Sequence, residues 1–142
     1  MFEKKDRKKI IERYESEKHI IDKNENTSNI KKRSISIYEE NLEKLISINN
    51  HKEFNMVKNG FEIPNFKKTL GYIFDNFDYD LKIESIINTC QNSKMITLYL
   101  DNDTIKNIEH FANINNIFKG AKNININLAC NYIIKYFSIK EN

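Results

Sequence analysis

The 142-residue sequence holds 23 Lys+Arg against 20 Asp+Glu, two Cys, one Pro, three Gly and no Trp. That leaves room for one domain or two very small ones around a single modest core, and 30% charged with 39% hydrophobic residues is a folded composition, not a disordered one. Apolar runs of only two or three residues exclude a bilayer-spanning helix. The start, Met1 to Asp6, lacks the apolar centre of a signal peptide, and Cys90 and Cys130 are too few for a disulfide scaffold, so a reducing, cytoplasmic setting is expected.

The net charge of +3 is unevenly spread. Residues 1–33 hold 11 Lys+Arg and 7 Asp+Glu, a net of +4, which leaves −1 for residues 34–142. A basic end of this kind suits an anionic partner, and it equally suits a solvated helix of mixed charge. The 24 Ile and 22 Asn read as the mark of an AT-rich genome and carry no functional message.

In chain order, residues 3–23 read as a helix with a thin apolar stripe of Ile10, Ile11, Tyr14, Ile20 and Ile21. Asn24 to Asn29 reads as a linker, followed by the basic cluster Lys31-Lys32-Arg33. Residues 32–38 then alternate polar and apolar side chains, with Ile35 and Ile37 on one face, which predicts a strand. The period becomes helical at Leu42, Leu45, Ile46 and Ile48, with Glu39 and Glu40 in the first turn, where negative charge is favoured. Gly60 and Pro64 punctuate a loop. A second helix is expected from Asn65 to Phe77, with Pro64 suited to its first turn.

A single shift of the chain against itself brings the pattern back. Ile35 falls on Leu98, Ile37 on Leu100, Leu42 on Ile105, Leu45 on Ile108, Ile48 on Phe111 and Phe54 on Ile117. Beyond the loop Phe61 falls on Ile124, Ile63 on Ile126, Phe66 on Ala129, Leu70 on Ile133, Ile73 on Tyr136 and Phe74 on Phe137. These twelve apolar pairs align without a gap, which predicts an internal repeat. The second copy then holds a strand at Met95–Leu100, a helix over 102–113, a loop at Lys119-Gly120 and a helix over 125–136. Asp101 and Asp103 are cap candidates for the first of these helices, and Asn125 or Asn127 for the second. Between the copies, residues 81–90 read as a short connecting helix.

One strand followed by two helices cannot satisfy its own strand edge or cover its helix face. Two such units solve both problems if their strands pair antiparallel into a ribbon and the four helices cover its apolar side. The other side is left exposed and polar, and a two-stranded ribbon fits the major groove of B-DNA.

The segments RSISIYEENLEKL (33–45) and MITLYLDNDTIKNI (95–108) resemble the ribbon-helix-helix DNA-binding family, here with two units in one chain. The resemblance covers about residues 32–77 and 94–140. It implies groove-facing side chains from Lys32, Ser34 and Ser36 and from Met95, Thr97 and Tyr99. It also implies phosphate anchoring by backbone N–H groups near Ile63-Pro64-Asn65 and Asn125-Ile126-Asn127, at helix starts. Lys31, Lys32 and Arg33 are further phosphate candidates. Pro64 has no N–H, and the groove-facing set is poor in Arg, so modest base readout with much of the affinity from phosphates is expected.

The expected fold class is therefore mainly α with a small antiparallel two-stranded β-ribbon, a tandem ribbon-helix-helix. Its divisions are an arm at 1–31, a first unit at 32–77, a connecting helix at 78–93 and a second unit at 94–142. No enzyme activity, cofactor or metal is expected: His19, His51 and His110 stand apart, no glycine-rich phosphate loop exists, and both cysteines fall in apolar helical patterns as buried thiols. The partner expected is double-stranded DNA, with self-association on it, and the function that of a transcriptional repressor. A conjugation or partition accessory protein, or an antitoxin-like module that binds a protein through its N-terminal helix, are the alternatives.

Overall fold

The computed structural model describes residues 29–121 and 123–139. The expected N-terminal helix and nearly all of the linker after it lie outside them. The elements are β1 (Ile30–Tyr38), α1 (Glu39–Lys52), β2 (Met56–Lys58), β3 (Phe61–Ile63), α2 (Phe66–Asn76), β4 (Ser93–Asp101), α3 (Asn102–Ile114), β5 (Phe118–Lys119), β6 (Asn123–Ile124) and α4 (Ile126–Tyr136). The chain clusters into two units. The larger comprises Arg33–Leu98 and Asp103–Asn142; the other comprises Met1–Lys32 and Tyr99–Asn102, and its described part is one end of β1 and of β4.

β1 and β4 form a two-stranded sheet. In the larger unit Ser34 meets Thr97, while the Glu39 N–H donates to the Asn92 carbonyl at 2.9 Å. As β1 advances, its partners in β4 recede, so the strands are antiparallel. In the other unit the Asn102 N–H donates to the Asn29 carbonyl at 2.8 Å. The register places Ser34 opposite Thr97 and Ser36 opposite Met95. Alternation does the rest: Ile35, Ile37, Ile96 and Leu98 turn inward and are buried.

The inward face is covered by helices. Leu45 and Ile48 of α1, Leu70, Ile73 and Phe74 of α2, Ile108 and Phe111 of α3, and Ile133 and Ile134 of α4 are all buried. Each such side chain contributes roughly 1.5–3 kcal/mol through removal of apolar surface from water. α1 packs on both α2 and α4, and α2 packs on α4. The first helix of one repeat thus packs on the second helix of both.

Several expectations are corrected. Two hairpins, β2–β3 and β5–β6, stand where loops were expected; with them the described residues are 45% helix and 25% strand, so the expected mainly α class is matched only in part and the fold is mixed α/β. In the first hairpin Asn59 (φ 53°) and Gly60 (φ 81°) form a two-residue turn with both residues left-handed, the twist that suits a tight hairpin.

The repeat also contains a gap. The strands match in the expected register (30–38 with 93–101), as do the left-handed residues that end α1 and α3, Glu53 (φ 59°) and Asn116 (φ 57°). After the hairpin the register slips: the cap Asn65 matches Asn125, and Phe66–Asn76 matches Ile126–Tyr136. The second hairpin is shorter than the first by about one helical turn of chain. A slip of that size returns an apolar stripe to the same helix face, so the ungapped overlay looks almost as good as the true one. Pro64, for its part, lies outside α2, just before its cap Asn65, and not in the first turn.

Residues 77–92 form no helix; a turn closed by the Leu81 N–H on the Asp78 carbonyl (3.2 Å) leads into an irregular strap. Its N–H groups are taken by side chains. Ile83 donates to Asn115 Oδ1 (2.9 Å), Ser85 to the Tyr136 hydroxyl (2.9 Å) and Ile87 to the Tyr132 hydroxyl (3.2 Å). Those bonds replace the i−4 carbonyls that a helix would supply. Ile87 is buried, while Cys90, expected to be buried, is exposed.

Candidate nucleic-acid interface

Within the larger unit the outward face of the ribbon carries Ser34 and Ser36 from β1 and Met95 and Thr97 from β4. Ser34 is exposed, Ser36 and Thr97 are half-buried, and Met95 is 64% exposed. Ser34 Oγ and Thr97 Oγ1 lie 2.9 Å apart and share a hydrogen bond across the strands. Each hydroxyl has one proton and two lone pairs, so the bonded pair keeps one donor and further acceptors for an outside partner. In the other unit Lys32 and Tyr99 occupy the same outward alternation, and both are exposed. Lys31 is exposed too, but its position in the alternation is that of the inward side.

Arg33 is also an inward position. It is half-buried, and its charge acts on the buried Cys130 thiol. The Lys31-Lys32-Arg33 cluster is therefore split by the two-residue period of the strand, and only Lys32 keeps the alternation of the serines.

The expected helix-start anchors have internal uses. The Asn65 N–H donates to Asn49 Oδ1 at 2.9 Å, and the Asn125 N–H to the Ile117 carbonyl at 3.1 Å. Both side chains are caps: Asn65 Oδ1 accepts from the Lys68 N–H and Asn125 Oδ1 from the Leu128 N–H, each at 3.1 Å. Asn127 is not a cap, and its side chain turns to the ribbon, where Oδ1 accepts from the Ser36 N–H at 2.6 Å. The Asn65 and Asn125 N–H groups and the side chains of all three asparagines are thus engaged within the protein. The start of α1 is closed as well, since the Glu40 N–H donates to Gln91 Oε1 at 3.0 Å.

Asn127 is half of a clamp. Asn131, fully buried, takes the Tyr38 N–H on Oδ1 (2.9 Å) and donates through Nδ2 to the Ser36 carbonyl (2.8 Å) and the Asn127 carbonyl (3.0 Å). Asn41 Nδ2 reaches Asn131 Oδ1 at 3.0 Å. Two amides of α4 therefore satisfy the outer edge of β1 at Ser36 and Tyr38 and fix the backbone from which Ser36 points outward. An unpaired strand edge is otherwise a template for another chain. Asn131 gives no signal in the sequence, where an Asn between Cys130 and Tyr132 looks like any other in an Asn-rich chain.

Lys44 Nζ donates to the Lys135 carbonyl near the end of α4 at 2.6 Å, and its pKa is lowered, by burial first and by the Lys135 charge second. Burial raises the Cys130 thiol to about 12, against a smaller downward pull from Arg33. Among the described residues no group of three or more His, Cys, Asp or Glu stands close enough to hold a metal, and no helix is long and apolar enough to cross a membrane. Comparison with protein-family models, with curated proteins and with solved structures finds no match.

Proposed function

We propose that the chain is a tandem ribbon-helix-helix protein that binds double-stranded DNA with sequence selectivity, as a repressor, by laying the outward face of the β1–β4 ribbon in the major groove. The observation that carries this reading is the Ser34–Thr97 face: short polar side chains on the open side of a two-stranded ribbon whose other side is filled by four helices. Between the short hydroxyl side chains stands Met95, an apolar side chain suited to a thymine methyl in a groove about 12 Å wide. Ser and Thr hydroxyls donate or accept according to the base edge they meet, so selectivity is modest. Affinity then depends on phosphate contacts from Lys32 and from the net +4 of residues 1–33.

The β1 edge clamp supports the same reading. Binding that holds a strand backbone in place before contact avoids ordering it on contact. A titration of DNA from the upstream region of the protein's own gene at several salt concentrations tests the proposal. Retarded complexes with a log–log salt slope of roughly −4 to −8 are expected, and no binding at low salt overturns it.

A further inference from the structure

A twofold axis perpendicular to an antiparallel pair of strands passes between residues that face each other. A ribbon built from a repeat is therefore symmetric about the pair in which a residue faces its own equivalent. Ser34 is the repeat equivalent of Thr97, as the match of 30–38 with 93–101 sets, and Ser34 also stands opposite Thr97. The pseudo-twofold axis of the ribbon in the larger unit thus passes through that hydroxyl pair. At the axis the two repeats present the same chemistry, a short side chain with one hydroxyl.

Away from the axis the likeness ends. Ser36 stands opposite Met95, and the repeat equivalents of these two are Tyr99 and Lys32. Met95 is apolar and largely exposed, and its equivalent carries an ammonium. Ser36 is short, and its equivalent carries a phenol ring. The fastening is one-sided as well. Asn127 and Asn131 hold the backbone of Ser36 and Tyr38, and their equivalents in α2 are Lys67 and Gly71, neither of which has an amide side chain. A ribbon shared by two identical chains would carry equal side chains about its axis. Here both strands belong to one chain, so the inequality is built into every copy of it.

We infer that one chain recognises one non-palindromic DNA site, with Met95 packed on a thymine methyl on its own side of the Ser34–Thr97 axis. The inference rests on the ribbon reading of the proposed function and extends it to the form of the operator. A palindrome offers the same base edges on both sides of its centre. Met95 suits a thymine methyl, whereas the ammonium at the equivalent position, Lys32, suits the O6 and N7 acceptors of guanine. No palindrome satisfies both, so the chain binds the duplex in one direction, and Met95 is the residue that sets it.

Selection from a random-sequence duplex library with the full chain tests this. The shortest enriched duplex is titrated, and its complex is weighed by native mass spectrometry. A consensus without twofold symmetry and one chain per duplex are expected. Each thymine of that duplex is then replaced by uracil, which removes only the methyl group. At one thymine a loss of about fourfold is expected for the parent chain and none for Met95→Ser. Met95→Lys with Ser36→Tyr gives the equivalent outward positions the same side chains, and selection with that variant is expected to return a near-palindromic consensus. Where the double variant does not fold, Met95→Ser alone is expected to lose the thymine preference and keep the rest of the consensus. A palindromic parent consensus, two chains on the shortest duplex, or no thymine whose methyl depends on Met95 overturns the inference while the ribbon proposal stands. No enrichment of any duplex at low salt, or enrichment that ignores Ser36→Glu with Thr97→Glu, overturns the ribbon proposal and the inference with it.

Discussion

The two repeats share a plan and differ in what they bury. In the first, Asn49 lies fully buried between α1 and α2: its Oδ1 accepts from the Asn65 N–H (2.9 Å) and the Thr69 hydroxyl (3.3 Å), and its Nδ2 donates to Asn55 Oδ1 (2.5 Å). The equivalent positions of Asn49 and Thr69 in the second repeat are Ala112 and Ala129, both fully buried and apolar. Conversely, Asn131 of the second repeat clamps β1, and its equivalent in the first is Gly71, which has no side chain to offer. The repeat unit is thus defined by its apolar layer, and each copy has its own polar fastening. Local burial and pairing, not the shared pattern, decide where an amide is tolerated.

The comparison breaks most visibly at Asn131. Asn131→Ala leaves the Ser36 carbonyl and the Tyr38 N–H without their side-chain partner, while the Asn41 amide keeps the backbone carbonyl of residue 131, and a loss of about 2–4 kcal/mol in urea unfolding is expected. A loss below about 0.5 kcal/mol, less than one ordinary hydrogen bond contributes, would mean that water replaces the clamp. Asn49→Ala is expected to cost about 1–3 kcal/mol by orphaning the Asn65 N–H and removing one of the two acceptors of the Thr69 hydroxyl. Adding Thr69→Ala recreates the alanine pair of the second repeat, so the double variant is expected to lose less than the sum of the two singles. Strict additivity in that cycle would show that the amide network is not a unit.

A pH experiment separates the repeats chemically. The Cys130 thiol, with its pKa raised from 9.0 to about 12, keeps a proton in the folded protein that the unfolded chain releases. Its contribution is fully present below pH 9 and is lost as pH rises towards 12, at up to about 1.4 kcal/mol per pH unit. Lys44, lowered from 10.5, works the other way, since its strain is relieved as pH climbs to that value. The measurement is therefore the difference between the parent chain and Cys130→Ala, whose stability curve is expected to fall less steeply above pH 9. In thiol titration of the native protein, Cys90 is expected to react at once and Cys130 only on unfolding.

The smallest effect is at Gly71. A Cβ built there meets nothing within 4 Å, and the residue is inside α2, so Gly71→Ala is expected to stabilise by about 0.5–1 kcal/mol. Destabilisation would reveal a close approach at that helix face.

Much of this architecture is legible in the residues. The switch from an alternating to a helical period at Tyr38 marks where β1 becomes α1, and the same switch recurs at Asp101, where β4 becomes α3. Those signals are local, and burial enforces them. The strap misleads because Leu81, Ile83, Ile86 and Ile87 suggest a helical stripe, whereas Ile86 is 88% exposed and the N–H groups are bonded to residues far along the chain, in α4 and just beyond α3. The hairpin strands are too short to show a period, and the one local signal is the Asn59-Gly60 turn of the first. Alternation alone reveals the ribbon face. Its fastening, Asn127 and Asn131, depends on a contact between the first strand and the last helix that no local pattern records.

The central claim concerns the outward face of the ribbon, and one pair of substitutions addresses it directly. Ser36→Glu with Thr97→Glu places two carboxylates on that face without touching the buried core. The double variant, shown by its unfolding curve to be folded, is titrated with the DNA that the parent chain binds. The account predicts a loss of affinity of roughly a hundredfold or more, as two anions opposed to the phosphate-lined groove require. Parent-like binding by the folded variant would contradict it and place the DNA, if any is bound, on another surface.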